Sequence, residues 1–80
     1  MEYILIRPSE NGIFWKYFND DVLVSSGILD LSSYEGGEVN LSDDLFFDNS
    51  KGFYKKDGDN VIYLVVRINY LSKNLFLGGK

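Results

Sequence analysis

A chain of 80 residues with no cysteine, no histidine and a formal net charge of −4 is long enough for one small core only. It lacks the groups for a disulfide framework, for thiolate or imidazole metal sites, and for catalysis by cysteine or histidine. At 45% hydrophobic and 16% aromatic it is too apolar for an intrinsically disordered segment, so a packed domain over residues 1–80 is expected, without a cofactor.

Residues 2–7, Glu-Tyr-Ile-Leu-Ile-Arg, form a β-rich run that Pro8 stops by its fixed φ and missing amide. The turn Ser9-Glu10-Asn11-Gly12, with Asn-Gly as a hairpin signal, leads into a second strand over residues 13–18. Asn19-Asp20-Asp21 is a further turn, and Val22 to Ser26 a third strand that Gly27 interrupts. Ile28 to Leu31 extends or bends that strand, and Glu35-Gly36-Gly37-Glu38 loosens the chain.

Ser42 is placed to cap one short helical turn, with Asp43 and Asp44 at its positive end and Leu45-Phe46-Phe47 turned inward. The same residues also fit a short strand ending at Asp48. After the turn 48–52, a strand over 53–56 and the connection 57–60 precede the longest run, Val61 to Tyr70. Its even positions, Ile62, Leu64, Val66, Ile68 and Tyr70, are apolar and read as the core face. Leu75-Phe76-Leu77 would be a last edge strand. The expected fold is therefore all-β, or α+β with the one short helix near Ser42. It would be a small curled antiparallel sheet or barrel of five to seven short strands.

The chain ends on Leu77-Gly78-Gly79-Lys80 and opens with a hairpin, which at these two ends is similar to ubiquitin-like proteins. Val22 to Leu31, however, is β-rich where that family carries its long helix, so membership is not assigned.

Several catalytic and ligand-binding patterns are weak. Asp48-x-Ser50-x-Gly52 resembles part of a calcium loop, but Phe53 stands where an EF-hand needs glycine. Asp20-Asp21 and Asp43-Asp44 are adjacent carboxylates, which seldom face one cleft, so no enzyme is expected. Phe14, Trp15, Tyr17 and Phe18 would suit base stacking, but only Lys16 interleaves with them and direct nucleic-acid binding is not expected. No apolar run reaches the about eighteen residues of a membrane helix. Met1-Glu2-Tyr3 also lacks the basic start of a signal peptide, so a cytoplasmic protein without membrane contact is expected.

Charge is the most uneven property of the chain. Residues 17–50 hold eight acids and no base, whereas residues 51–80 hold six bases and two acids. Turn chemistry explains many of these acids, but gathered on one face they would steer a basic partner. The expected activity is that of an acidic, non-enzymatic inhibitor, of the immunity or anti-CRISPR-like anti-defence class found in bacteria and phage. It would block a basic, nucleic-acid-binding surface of a larger protein by acting as a nucleic-acid mimic. Its partner-binding residues would be Asp20, Asp21, Asp30, Glu35, Glu38, Asp43, Asp44 and Asp48, with Trp15 and Tyr34 as anchors. The alternative is a structural or assembly protein that forms a homodimer through sheet edges, the Val22 strand or Leu75 to Leu77.

Overall fold

The computed structural model describes residues 1–69 and, over that range, the protein is all-β. Eight strands form two four-stranded sheets. Sheet A has the order β3-β2-β1-β8 and sheet B the order β4-β5-β6-β7. The strands are β1 (Glu2–Pro8), β2 (Gly12–Asn19), β3 (Val22–Asp30), β4 (Glu38–Ser42), β5 (Leu45–Asp48), β6 (Gly52–Asp57), β7 (Asn60–Tyr63) and β8 (Val65–Ile68). The expected Leu75–Leu77 strand lies outside the described residues.

The opening meander follows the sequence, but its glycines act differently from expectation. Gly12 is not the positive-φ residue of a tight Asn-Gly turn. It lies in β2, where a Cβ would stand 2.4 Å from the Leu29 carbonyl oxygen. Gly27 likewise does not interrupt β3. It pairs with Trp15 and leaves room for the indole, since a Cβ there would be 2.9 Å from Trp15 Cζ2. The irregularity of β3 falls instead at Val24, an extra residue between the Tyr17–Ser25 and Phe18–Leu23 pairs.

Three of the hairpins have turn chemistry matched to their length. Asp20 and Asp21 both have positive φ, 53° and 67°, as the two-residue type I′ turn between β2 and β3 requires. Gly52, at φ 85°, closes the three-residue connection from β5 to β6, and Gly58, at φ 61°, opens the two-residue turn from β6 to β7.

Two further expectations are corrected, and of the two readings open at Ser42 the short strand ending at Asp48 forms, as β5, while the helical turn does not. Asp43 and Asp44 make a hairpin turn, and Leu45 and Phe47 face the core while Phe46 faces the other way, stacked on Tyr54. The period of two outweighs the capping signal there. The strands number eight rather than five to seven and do not close into a barrel. One pairing, β1 with β8, is parallel.

The long final run explains the last two points. It is two strands, with β7 on the edge of sheet B and β8 on the edge of sheet A, and the chain changes sheets at Leu64. The Leu64 amide continues the sheet B ladder by donating to the Phe53 carbonyl at 3.0 Å, and its side chain is buried. Because β7 and β8 run along edges, only Leu64 of the expected core face is buried. Ile62, Val66 and Ile68 are each about 40% exposed, and Tyr70 lies outside the described residues.

The core lies between the sheets. Ile4, Trp15, Tyr17 and Leu29 come from sheet A, Leu45 and Phe53 from sheet B, and Leu64 from the crossover. At about 1.5–3 kcal/mol for each large apolar side chain buried, this cluster is the main stabilising contact between the sheets. Tyr54 forms a separate small cluster on the opposite face of sheet B. It is fully buried beside Phe46 and Tyr63, with Lys51 above its ring, and its hydroxyl donates to Glu38. No helix among the described residues is long and apolar enough to cross a membrane.

Candidate functional site

The eight acids of residues 17–50 do not form one face. They divide between the two ends of the strands. Successive strand residues rise about 3.3 Å, so β3 alone puts up to about 30 Å between Asp21 and Asp30.

At one end, the β2–β3 and β4–β5 turns bring Asp20, Asp21, Asp43 and Asp44 to a common rim with Glu2. Three contacts tie the first turn to the start of the chain: the Met1 α-amino group pairs with Asp20, the Asp20 amide donates to the Met1 carbonyl at 2.8 Å, and the Tyr3 hydroxyl donates to Asp21 Oδ1 at 3.2 Å. Lys55 ties the second turn in from sheet B. Its ammonium donates to Glu2 Oε1 at 2.9 Å and to the Tyr17 hydroxyl at 3.0 Å, and lies 3.8 Å from Asp44 Oδ2. The Tyr17 hydroxyl in turn donates to Glu2.

These contacts set the charge states. The Tyr17 hydroxyl and the Lys55 ammonium hold the Glu2 carboxyl below its usual range. The Glu2 carboxylate and the Tyr17 hydroxyl push Lys55 upward. Burial, then the bond to Glu2, pushes the Tyr17 phenol up. Glu2 and Asp44 thus face Lys55, Asp20 pairs with the α-amino group of Met1, and with Asp21 and Asp43 in the same two turns the rim carries five carboxyl groups against two cations.

At the other end, Asp30, Glu35, Glu38 and Asp48 lie around Tyr34. Asp30 and Asp48 use one device, each accepting from the amide and hydroxyl of the serine two residues on. Both carboxyls are held low by those bonds. The calcium-loop pattern at Asp48 is therefore a capped turn. Glu38 lies opposite Asp48 in the β4–β5 ladder and binds Lys56 and Tyr54, which hold its carboxyl low. Tyr34 packs edge-on against Phe47, donates to the Gly37 carbonyl at 2.5 Å and accepts from the Asn49 amide at 3.1 Å. Asp30, Tyr34, Glu35 and Glu38 line a shallow depression of about 370 Å³.

Of the two expected aromatic anchors, Tyr34 is half-buried and borders this depression. Trp15 is 3% exposed and belongs to the core, so it presents no ring to a partner. The basic final third folds back on the acidic middle through Lys55 with Asp44 and Lys56 with Glu38. The sequence dipole is thereby partly neutralised in space.

A third surface was not legible as a unit in the sequence. Outward rungs of β1 and β2 pair Tyr3 with Phe18, Leu5 with Lys16 and Arg7 with Phe14, and β8 adds Arg67 beside Leu5. The expectation that Lys16 alone interleaves with the rings is corrected, because pairing brings in cations from both neighbouring strands. Among the described residues, no cluster of acidic side chains is arranged to hold a metal ion. Comparisons with protein families, curated proteins and solved structures find no match.

Proposed function

We propose that the protein is a non-enzymatic binding module whose acidic rim docks on a basic surface of a larger protein, in the manner of a small inhibitor. The observation that carries this reading is the meeting of Asp20-Asp21 and Asp43-Asp44, from turns on different sheets, around the Glu2–Lys55 pair. Carboxylates on tight turns are held by the backbone, so little ordering opposes their engagement by arginines or lysines. A negative rim of this kind accelerates encounter with a positive partner and imitates the charge of a phosphate backbone. The inhibitor classes that fit are immunity and anti-defence proteins, anti-CRISPR proteins among them, acting in the cytoplasm.

The test is capture of partners at low and high salt by the wild-type chain and by the Asp20→Asn, Asp21→Asn, Asp43→Asn, Asp44→Asn variant. The reading expects one basic protein that the wild type retains at low salt and that both high salt and the variant release. A captured set indifferent to both contradicts it.

A second reading has its own observation. Val22, Leu23 and Val24 are 64%, 50% and 55% exposed on β3, an edge strand of sheet A, which favours homodimerisation by edge pairing. Sedimentation would then give a dimer that Val24→Pro disrupts.

A further inference from the structure

We infer that the outward face of sheet A is a binding surface for single-stranded nucleic acid, separate from the acidic rim and independent of the function proposed for it. Three adjacent rungs build the face: Tyr3–Phe18, Leu5–Lys16 and Arg7–Phe14. The Tyr3 and Phe18 rings are stacked, with centroids 5.0 Å apart and planes 12° from parallel. The Arg67 guanidinium carbon lies 4.1 Å from the Tyr3 centroid and that of Arg7 4.4 Å from the Phe14 centroid. The face therefore carries two ring-and-guanidinium platforms, with Lys16 between them.

Three features give the ligand its chemistry. Arg7, Lys16 and Arg67 are exposed, and none makes an ion pair with a carboxylate among the described residues, whereas Lys55 and Lys56 both do. Unneutralised cations on one face fit a chain of phosphates. Tyr3, Phe14 and Phe18 are half-buried, so their rings are fixed yet reachable, and flat rings or guanidinium planes take unpaired bases by stacking. A trough of about 340 Å³ lies between the rungs, bordered by Arg7, Phe14, Lys16, Ser26 and Ile28. A duplex hides its base faces, which favours the single strand. Asp21 borders the Tyr3 end, so the strand's phosphates are placed at the Arg7 and Lys16 end.

The test is fluorescence anisotropy of labelled oligothymidine and oligouridine strands with the wild-type protein, with a duplex of mixed sequence and dextran sulfate as competitors. With about two phosphates neutralised, log K should fall against log salt with a slope of about −1.4, a loss of about 7-fold between about 50 and about 200 mM salt. Arg7→Gln with Lys16→Gln should reduce affinity by about 10-fold or more, and Phe14→Leu by about 5-fold or more, in proteins whose circular dichroism is unchanged. Lys56→Gln on sheet B should leave binding as it was. Should Phe14→Leu lose its fold, ring-current shifts of the Phe14 and Phe18 ring protons on adding the single strand to the wild-type protein give the same information, and unmoved shifts would overturn the inference. Absence of binding at low salt would overturn the inference. So would competition by the duplex or dextran sulfate equal to that by the single strand, or affinity unmoved by the Arg7 and Lys16 changes.

Discussion

The indole of Trp15 packs so closely against its strand partner Gly27 that a single methyl group at Gly27 would come within 2.9 Å of Trp15 Cζ2. Trp15 belongs to the core between the sheets, and its indole nitrogen has no hydrogen-bond partner there. The contact is therefore one of shape, with no polar bond to hold the ring elsewhere. Gly27→Ala should destabilise the fold by about 1–3 kcal/mol through overpacking. Gly12→Ala should cost more, because its obstacle is the backbone oxygen of Leu29, at 2.4 Å, rather than a side chain. Urea denaturation followed by Trp15 fluorescence measures both.

Leu64 joins the two sheets and fills the core between them. Leu64→Ala should lower stability by about 2–5 kcal/mol, as expected for a large buried side chain removed without collapse of the site. The neighbouring Ile62→Ala and Val66→Ala should each cost about 1 kcal/mol or less, since both residues are about 40% exposed. Thermal melts of the three variants would show one large and two small shifts.

The Glu2, Tyr17 and Lys55 contact sets the pH range of the fold. Glu2 is held below its usual value, so the stability it contributes is present above about pH 4.5 and is lost as pH falls through its lowered folded value. Lys55 and Tyr17 are raised, so their contributions are full below about pH 10 and are lost as pH rises through their folded values. Glu2→Gln should destabilise by about 1–3 kcal/mol at pH 7 and flatten the acid limb of a plot of melting temperature against pH. The Asp30, Glu38 and Asp48 carboxyls, also lowered, leave a residual acid slope in that variant.

The β2–β3 turn is a place where rim charge can be removed without touching the core. Asp20 and Asp21 occupy positive φ, which an Asn-Gly pair adopts with less strain. Asp20→Asn with Asp21→Gly should leave stability unchanged, relief of strain at positive φ offsetting the loss of the exposed Met1–Asp20 pair and the Tyr3–Asp21 bond, while removing two charges from the rim. Affinity for the basic partner should fall with no loss of melting temperature, which calorimetry and a binding titration would show together.

Much of the fold was legible locally. The first hairpin, the β2–β3 turn and the strand at Phe53 follow from β-branched and aromatic runs punctuated by Gly, Asn and Asp. The division of Val61 to Ile68 between two sheets was not, because alternation fixes which face a residue takes and not which sheet its strand joins. The Ser42 capping signal was outweighed by the pairing of Leu45 with Lys55. Half of the acids expected on one surface do gather at a rim, but along-chain charge could not show that Asp30, Glu35, Glu38 and Asp48 lie a strand's length away. Trp15 resembled a surface anchor only because the glycine that receives its ring, Gly27, stands twelve positions later.

The most direct measurement is the affinity of the captured basic partner for the wild-type chain and for the Asp20, Asp21, Asp43, Asp44 to Asn variant, titrated over a range of salt. The acidic-rim account predicts that wild-type affinity falls steeply with salt, and that the variant binds about 10-fold or more weakly at low salt with a flattened slope. Equal affinity and equal salt dependence for the two proteins would contradict it.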